Sequence, residues 1–138
     1  MFYIGLDIGG TKCAASLGKI VLGTEIPEII KKEQFLTADL SPKMVLERFS
    51  EFITGSINMY EIVGIGISCG GPLDGRLGII KSPPSLPLWD NVNIVEYFEC
   101  KFGINLIHNK TFLYFFNSAQ HFIRRYFKSI CFGQPRIN

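Results

Sequence analysis

The opening part of the chain alternates short apolar runs with glycine-containing breaks, a pattern typical of strands joined by tight turns. Residues 2–8 and 11–17 are two such runs, and Gly9-Gly10 separates them. This arrangement predicts a β-hairpin. Residues 20–26 and 33–37 are weaker strand candidates that can extend the same sheet.

The clearest helix signal begins at Ser41-Pro42. Ser41 can cap the helix with its side chain, and Pro42 suits the first helical position, where its missing N–H is not needed. Beyond it, apolar residues recur at helical spacing and form one face: Val45, Phe49, Phe52, Ile53 and Ile57.

Small and apolar side chains fill residues 62–68 almost without interruption. Such a run predicts a strand that is buried on both faces. A glycine-rich loop follows at residues 69–78, and a rigid proline-rich segment follows at residues 82–89.

A second helix is expected after the proline-rich segment. Asn91 or Asn93 can cap it, and it runs to about Lys101 before Gly103 ends it. Residues 105–108 fit one more strand. Strands with intervening helices, after an opening hairpin, predict an α/β fold with a sheet of mixed direction.

The composition fits one compact, folded domain. The chain has 138 residues, of which 47% are apolar and 19% charged, so disorder is excluded for most of it. The start does not resemble a signal peptide, and no apolar run reaches the roughly 20 residues that span a bilayer. We therefore expect a cytoplasmic protein without a membrane partner. The cysteines form no C-x-x-C pair, and we expect buried free thiols at Cys13, Cys69, Cys100 and Cys131.

Charge divides the chain near residue 110. Residues 1–110 hold all 12 acidic side chains and ten of the 14 basic ones, which gives −2, whereas residues 111–138 hold four bases and no acid, which gives +4. The division predicts a domain over residues 1–110 and an atypical basic, aromatic tail over residues 111–138. The charge of this tail is too small to predict nucleic-acid binding.

The sharpest local motif runs from Asp7 to Lys12. Paired glycines let backbone N–H groups approach a phosphate closely. Thr11 adds a hydroxyl and Lys12 a positive charge, and Asp7 could hold a hydrated Mg²⁺. The alternative is that Gly9-Gly10 only makes a hairpin turn.

A second constellation comes later, where residues 65–74 read Ile-Gly-Ile-Ser-Cys-Gly-Gly-Pro-Leu-Asp and residues 82–90 read Ser-Pro-Pro-Ser-Leu-Pro-Leu-Trp-Asp. Together with Asp7–Lys12, these segments resemble the ROK family of bacterial sugar kinases and related repressors. Order, spacing and residue types agree over about residues 3–109.

The resemblance implies an actin-like, ribonuclease-H-like ATPase fold, with two domains that close on ATP, Mg²⁺ and a sugar. It places Gly9, Gly10, Thr11 and Lys12 near the phosphates and Asp7 near the magnesium ion, through water. It also places Gly70 and Gly71 near the sugar. No zinc is expected, because the His/Cys cluster common in the family is missing.

The sequence departs from the family pattern near residue 110. There the family has an Asn that contacts a sugar hydroxyl and an Asp that acts as general base. Asn109 matches the first, but Lys110 stands at the position of the base. A protonated lysine cannot accept a proton. His108 is a further candidate base, although a surface or core role is the simpler interpretation.

Beyond residue 110 nothing resembles the family. Residues 119–130 can form a basic amphipathic helix, which either covers the sheet or binds a membrane or a partner. We hypothesise a frameshift or premature stop in the gene. The expected function is the N-terminal half of an ATP-dependent, glucokinase-like hexose kinase that is inactive alone. Alternatives are a non-catalytic sugar- or nucleotide-binding regulator, or one subunit of a split kinase. The possible protein partners are a second copy of the chain or the missing C-terminal half.

Overall fold

The computed structural model describes residues 1–21, 23, 27–74 and 76–102, and the backbone of residues 112–117. Its main sheet has five strands in the order β3-β2-β1-β4-β8. These strands are β1 (Phe2–Ile8), β2 (Lys12–Lys19), β3 (Glu28–Leu36), β4 (Ile62–Cys69) and β8 (Phe112–Asn117). β1, β2 and β3 are antiparallel neighbours, whereas β4 runs parallel to both β1 and β8. The sheet is therefore mixed, as predicted.

A smaller antiparallel sheet contains β5 (Leu73–Asp74), β6 (Ile79–Ile80) and β7 (Val92–Asn93). The Asp74 carboxylate accepts hydrogen bonds from the amides of Arg76 and Leu77, each 3.0 Å long, and so closes the turn between β5 and β6. Strand β5 lies within the glycine-rich loop predicted at residues 69–78, and β6 and β7 follow it. The sequence predicted none of these three strands.

The first helix, α1 (Pro42–Met59), confirms the predicted capping. Ser41 accepts a hydrogen bond from the amide of Met44, and Pro42 occupies the start of the helix. The second helix, α2 (Ile94–Phe102), is capped by Asn93, whose side-chain oxygen accepts a hydrogen bond from the Glu96 amide at 3.1 Å.

The core lies between α1 and one face of the main sheet. Buried side chains of β1, β2 and β4 alternate with residues of the opposite face, and the helix contributes Val45, Leu46, Phe49, Phe52 and Ile53. The opposite face of the sheet carries small residues. Gly5 pairs with Ser16 on β2 and Gly66 on β4, and Asp7 pairs with Ser68 on β4. Asp7 is therefore the charged residue at the end of this face of β1.

Some sequence predictions need correction. Ile20 and Val21 lie outside any strand, and the rest of predicted strand 20–26 is described only at residue 23. The strand predicted at residues 33–37 is longer than expected and runs from Glu28 to Leu36. Its charged residues lack an alternating pattern, so the sequence did not reveal the first part of this edge strand. Cys100 is exposed rather than buried.

Three predictions fall outside the described residues: the strand at 105–108, the tail helix at 119–130 and the buried thiol of Cys131. Strand β8 was not predicted. It lies beyond residue 110 and pairs with β4 in parallel, from Gly64 opposite Phe112 to Cys69 opposite Asn117.

Candidate functional site

The glycine turn, which we define as residues 9–12, joins β1 to β2 across the closing pair Ile8 and Cys13. A Cβ atom on Gly9 would lie 2.5 Å from the carbonyl oxygen of Lys12. No side chain fits at that distance, so the tight return of the chain requires glycine at this position. Thr11 and Lys12 are exposed at the outer side of the turn.

Thr37, the first residue after β3, holds the glycine turn in place. Its amide donates a hydrogen bond to the Thr11 carbonyl at 2.9 Å, and its hydroxyl donates one to the Gly9 carbonyl at 2.7 Å. The Cys13 sulfur lies 3.2 Å from the same hydroxyl oxygen. The role of Thr37 was not predicted from the sequence. The signal that the sequence offered was a polar residue at the end of a predicted strand that can pair with the hairpin.

The proline-rich loop, residues 82–90, packs against the glycine turn at Gly10. A Cβ atom on Gly10 would lie 2.5 Å from the Ser85 carbonyl oxygen and 2.6 Å from the Ser85 Cβ. The absence of a side chain at Gly10 therefore allows the proline-rich loop to pack closely against the turn. The Gly9-Gly10 turn was predicted from the sequence, but its contact with this loop was not.

Asp7 is a half-buried carboxylate beside the glycine turn. Desolvation by burial raises its pKa to about 6, and the positive charges of Lys32 and Lys12 oppose that shift. Within the described part of the chain, the carboxylate has no hydrogen-bond donor and no ammonium group within 4 Å. A half-buried carboxylate with a raised pKa is typical of functional sites.

A second loop reaches the same edge of the sheet. β1 and β4 are parallel, and the pairing of Ile8 with Cys69 brings their carboxyl ends together. Gly70, the first residue after β4, therefore lies beside the glycine turn. A Cβ atom on Gly70 would meet no atom within 4 Å, so the backbone here borders open space. Gly71 precedes Pro72 through a cis peptide bond.

The structure thus brings together six of the predicted site positions: Asp7, Gly9, Gly10, Thr11, Lys12 and Gly70. Gly71 is next in the chain. Asn109, Lys110 and His108 lie outside the described residues, so their predicted roles stay predictions.

The chemistry of the donors suits magnesium. Over the described residues, no group of three or more His, Cys, Asp or Glu side chains could hold a metal ion. Mg²⁺ needs no such group, because it usually keeps several waters and binds one or two carboxylates together with substrate phosphates. Asp7 offers one carboxylate that is unpaired among the described residues, beside the glycine turn, and it therefore fits this ion.

Three antiparallel strands followed by two parallel ones, with a helix crossing between β3 and β4, define a ribonuclease-H-like fold of the kind found in the N-terminal domain of actin-like ATPases. The sequence profile of the ROK family matches residues 3–111. The chain belongs to the ROK family.

Solved structures of ROK proteins share this fold. The ROK hexokinase of Thermus thermophilus matches with a TM-score of 0.60 and 24% identity, over 86% of this chain and 36% of that one. A ROK glucokinase from Streptomyces griseus, in complex with glucose and AMPPNP, matches with a TM-score of 0.63 and 19% identity, over 86% and 34%. A ROK transcriptional regulator, a homologue of the E. coli MLC protein, matches with a TM-score of 0.59 and 14% identity, over 85% and 28%.

The chain thus spans about a third of the length of these proteins. No curated protein matches the chain. Among the described helices, none is long and apolar enough to cross a membrane.

Proposed function

We propose that this chain forms the nucleotide-binding lobe of an ATP-dependent hexose kinase, in which the glycine turn binds the phosphates and Asp7 holds Mg²⁺ through water. The observation that carries the proposal is the half-buried carboxylate of Asp7, which has no hydrogen-bond or ion-pair partner among the described residues. It lies beside a turn whose Gly9 and Thr11 carbonyls are already hydrogen-bonded to Thr37. The groups left for a ligand in this turn are amides, a hydroxyl and an ammonium group.

Each group has a role that follows from its charge. The amides of Gly10, Thr11 and Lys12, with the Thr11 hydroxyl, can donate hydrogen bonds to phosphate oxygens, and the Lys12 ammonium neutralises part of their charge. Bound Mg²⁺ would neutralise charge on the triphosphate. Asp7 would orient the water molecules around that ion.

The sugar would lie beside Gly70 and Gly71, where the second loop borders open space next to the turn. Asn109 would contact a sugar hydroxyl. Phosphoryl transfer depends on groups from both sides of a cleft and on a base for the sugar hydroxyl. We therefore propose that the 138-residue polypeptide binds MgATP weakly and transfers no phosphoryl group alone.

The test is titration of the chain with ATP, with and without Mg²⁺, by calorimetry or NMR, alongside an assay of glucose-dependent ATP hydrolysis. We expect magnesium-dependent binding in the millimolar range and no turnover. Asp7→Asn should abolish the magnesium dependence, whereas Glu47→Gln, the same chemical change at an exposed position on α1, should leave it intact.

Two results would overturn the proposal. Binding of ATP that is identical with and without Mg²⁺ would remove the role of Asp7. Binding of sugar without any binding of MgATP would instead favour a non-catalytic sugar-binding protein, a class consistent with the regulator that shares the fold.

A further inference from the structure

Two hydrogen bonds from a single residue fix the two carbonyl groups that flank Gly10. Thr37 donates to the Gly9 carbonyl through its hydroxyl, at 2.7 Å, and to the Thr11 carbonyl through its amide, at 2.9 Å. A peptide group is planar, so the orientation of a carbonyl sets the orientation of the amide in the same unit. Fixing the Gly9 carbonyl therefore fixes the N–H of Gly10, and fixing the Thr11 carbonyl fixes the N–H of Lys12.

Thr37 is buried, and its hydroxyl bond to Gly9 is partly buried. Thr37 is only 7% exposed, although it follows an edge strand whose residues are mostly exposed. Its contact with Gly9 spans 28 residues of sequence, so it is tertiary and not part of a local turn. A buried threonine hydroxyl outside a helix or cap, bonded to the backbone of another element, restrains that backbone.

Cys13 completes the arrangement. The Cys13 sulfur lies 3.2 Å from the Thr37 hydroxyl oxygen, and the thiol donates a long hydrogen bond of 3.9 Å to the Gly9 carbonyl. Burial raises the pKa of this thiol, which keeps its proton in place at neutral pH. The thiol and the Thr37 hydroxyl therefore meet at the Gly9 carbonyl of the glycine turn.

We infer that Thr37 is the positioning residue of the phosphate-binding turn: it holds the Gly9–Gly10 and Thr11–Lys12 peptide groups so that the amides of Gly10 and Lys12 can meet phosphate oxygens. The identity of the ligand, MgATP, rests on the proposed function. The hydrogen bonds between Thr37 and residues 9–12 do not depend on it. Thr37 itself does not contact the ligand.

The test compares Thr37→Val with Thr37→Ser. Valine keeps the shape and the backbone N–H but loses the hydroxyl, whereas serine keeps the hydroxyl. An NMR titration with MgATP follows the amide signals of Gly10 and Lys12 in each variant. We expect Thr37→Val to weaken MgATP binding about fivefold to tenfold, as loss of one hydrogen bond to the turn implies, and Thr37→Ser to bind within about twofold of the natural chain.

Two further variants separate positioning from stability. Thr54→Val makes the same change at an exposed position of α1 and should not alter binding. Cys13→Ala removes the thiol but leaves the bond from Thr37 to Gly9, and it should lower thermal stability with little change in affinity. Unchanged MgATP affinity in folded Thr37→Val would overturn the inference.

Failure of the proposed function can be distinguished from failure of this inference. If the natural chain does not bind MgATP, the proposed function is wrong, and the inference is then judged by backbone scalar couplings of residues 9–12. Couplings that change in Thr37→Val and return in Thr37→Ser support positioning of the turn. Couplings that are the same in all three chains refute it.

Discussion

Gly10 of the glycine turn lies directly against the backbone of Ser85 in the proline-rich loop. A Cβ atom at Gly10 would be 2.5 Å from the Ser85 carbonyl oxygen. The loop is closed at its base, where the Ser82 amide donates to the Trp89 carbonyl at 2.8 Å, and it is anchored by the Trp89 side chain, which is 1% exposed. The turn and the loop therefore form one packed unit.

Gly10→Ala should destabilise the chain by about 1–3 kcal/mol, because the new methyl group must push the turn and the proline-rich loop apart. Chemical denaturation measures the change in the free energy of unfolding. Gly70→Ala is the matched control, since a Cβ atom there meets nothing within 4 Å, and it should change stability by less than about 0.5 kcal/mol. Equal effects of the two substitutions would show that Gly10 is not crowded by Ser85.

Gly55→Ala should have the opposite sign. Gly55 lies inside α1, on its exposed side, and a Cβ atom there would contact nothing within 4 Å. Alanine reduces the backbone freedom of the unfolded chain and favours the helix, so we expect a gain of about 0.5–1 kcal/mol in the free energy of unfolding. A loss of stability would mean that this face of α1 is covered by other parts of the chain.

The elements that depend on local chemistry were predictable from sequence. Ser41 and Pro42 mark the start of α1 because capping involves only neighbouring residues. Asn93 marks the start of α2 for the same reason. The Gly9-Gly10 hairpin follows from the two flanking apolar runs.

The contacts that shape the site were not predictable in this way. Thr37 and Ser85 reach the glycine turn from distant positions in the chain, and no periodicity or turn signal links them to it. Strand β8 lies in a stretch rich in aromatic residues, where the apolar pattern did not distinguish strand from helix. Tertiary contact and strand pairing decided these features.

Asp7→Asn should stabilise the chain at neutral pH. Burial raises the pKa of Asp7 from 3.8 to about 6, so the folded state binds the proton more tightly than the unfolded state. Stability therefore falls as the pH rises from about 4 to 6, and the penalty is fully present above pH 6. A shift of this size corresponds to at most about 3 kcal/mol, and partial exposure of the carboxylate reduces it to on the order of 1–2 kcal/mol.

Thermal or chemical denaturation across pH 3–8 tests whether Asp7→Asn raises the free energy of unfolding as expected. The gain from Asp7→Asn should be largest above pH 6 and shrink towards zero at the acid end. Glu47→Gln, at an exposed position of α1, is the control substitution and should change the free energy of unfolding by less than about 0.5 kcal/mol. A gain that grows as the pH falls would show that the Asp7 carboxylate is stabilised, not penalised, in the folded chain.

Binding of MgATP should follow the ionisation of the same carboxylate. Because the pKa of Asp7 is raised to about 6, the group is largely protonated at pH 5 and cannot orient the waters of Mg²⁺, whereas it is ionised above pH 7. We expect affinity to rise over this interval, by up to about tenfold per pH unit while Asp7 is mostly protonated. The terminal phosphate of ATP titrates in the same range, so the profile of Asp7→Asn serves as the reference. The difference between the two profiles isolates Asp7, and its absence would show that this carboxylate takes no part in holding the metal.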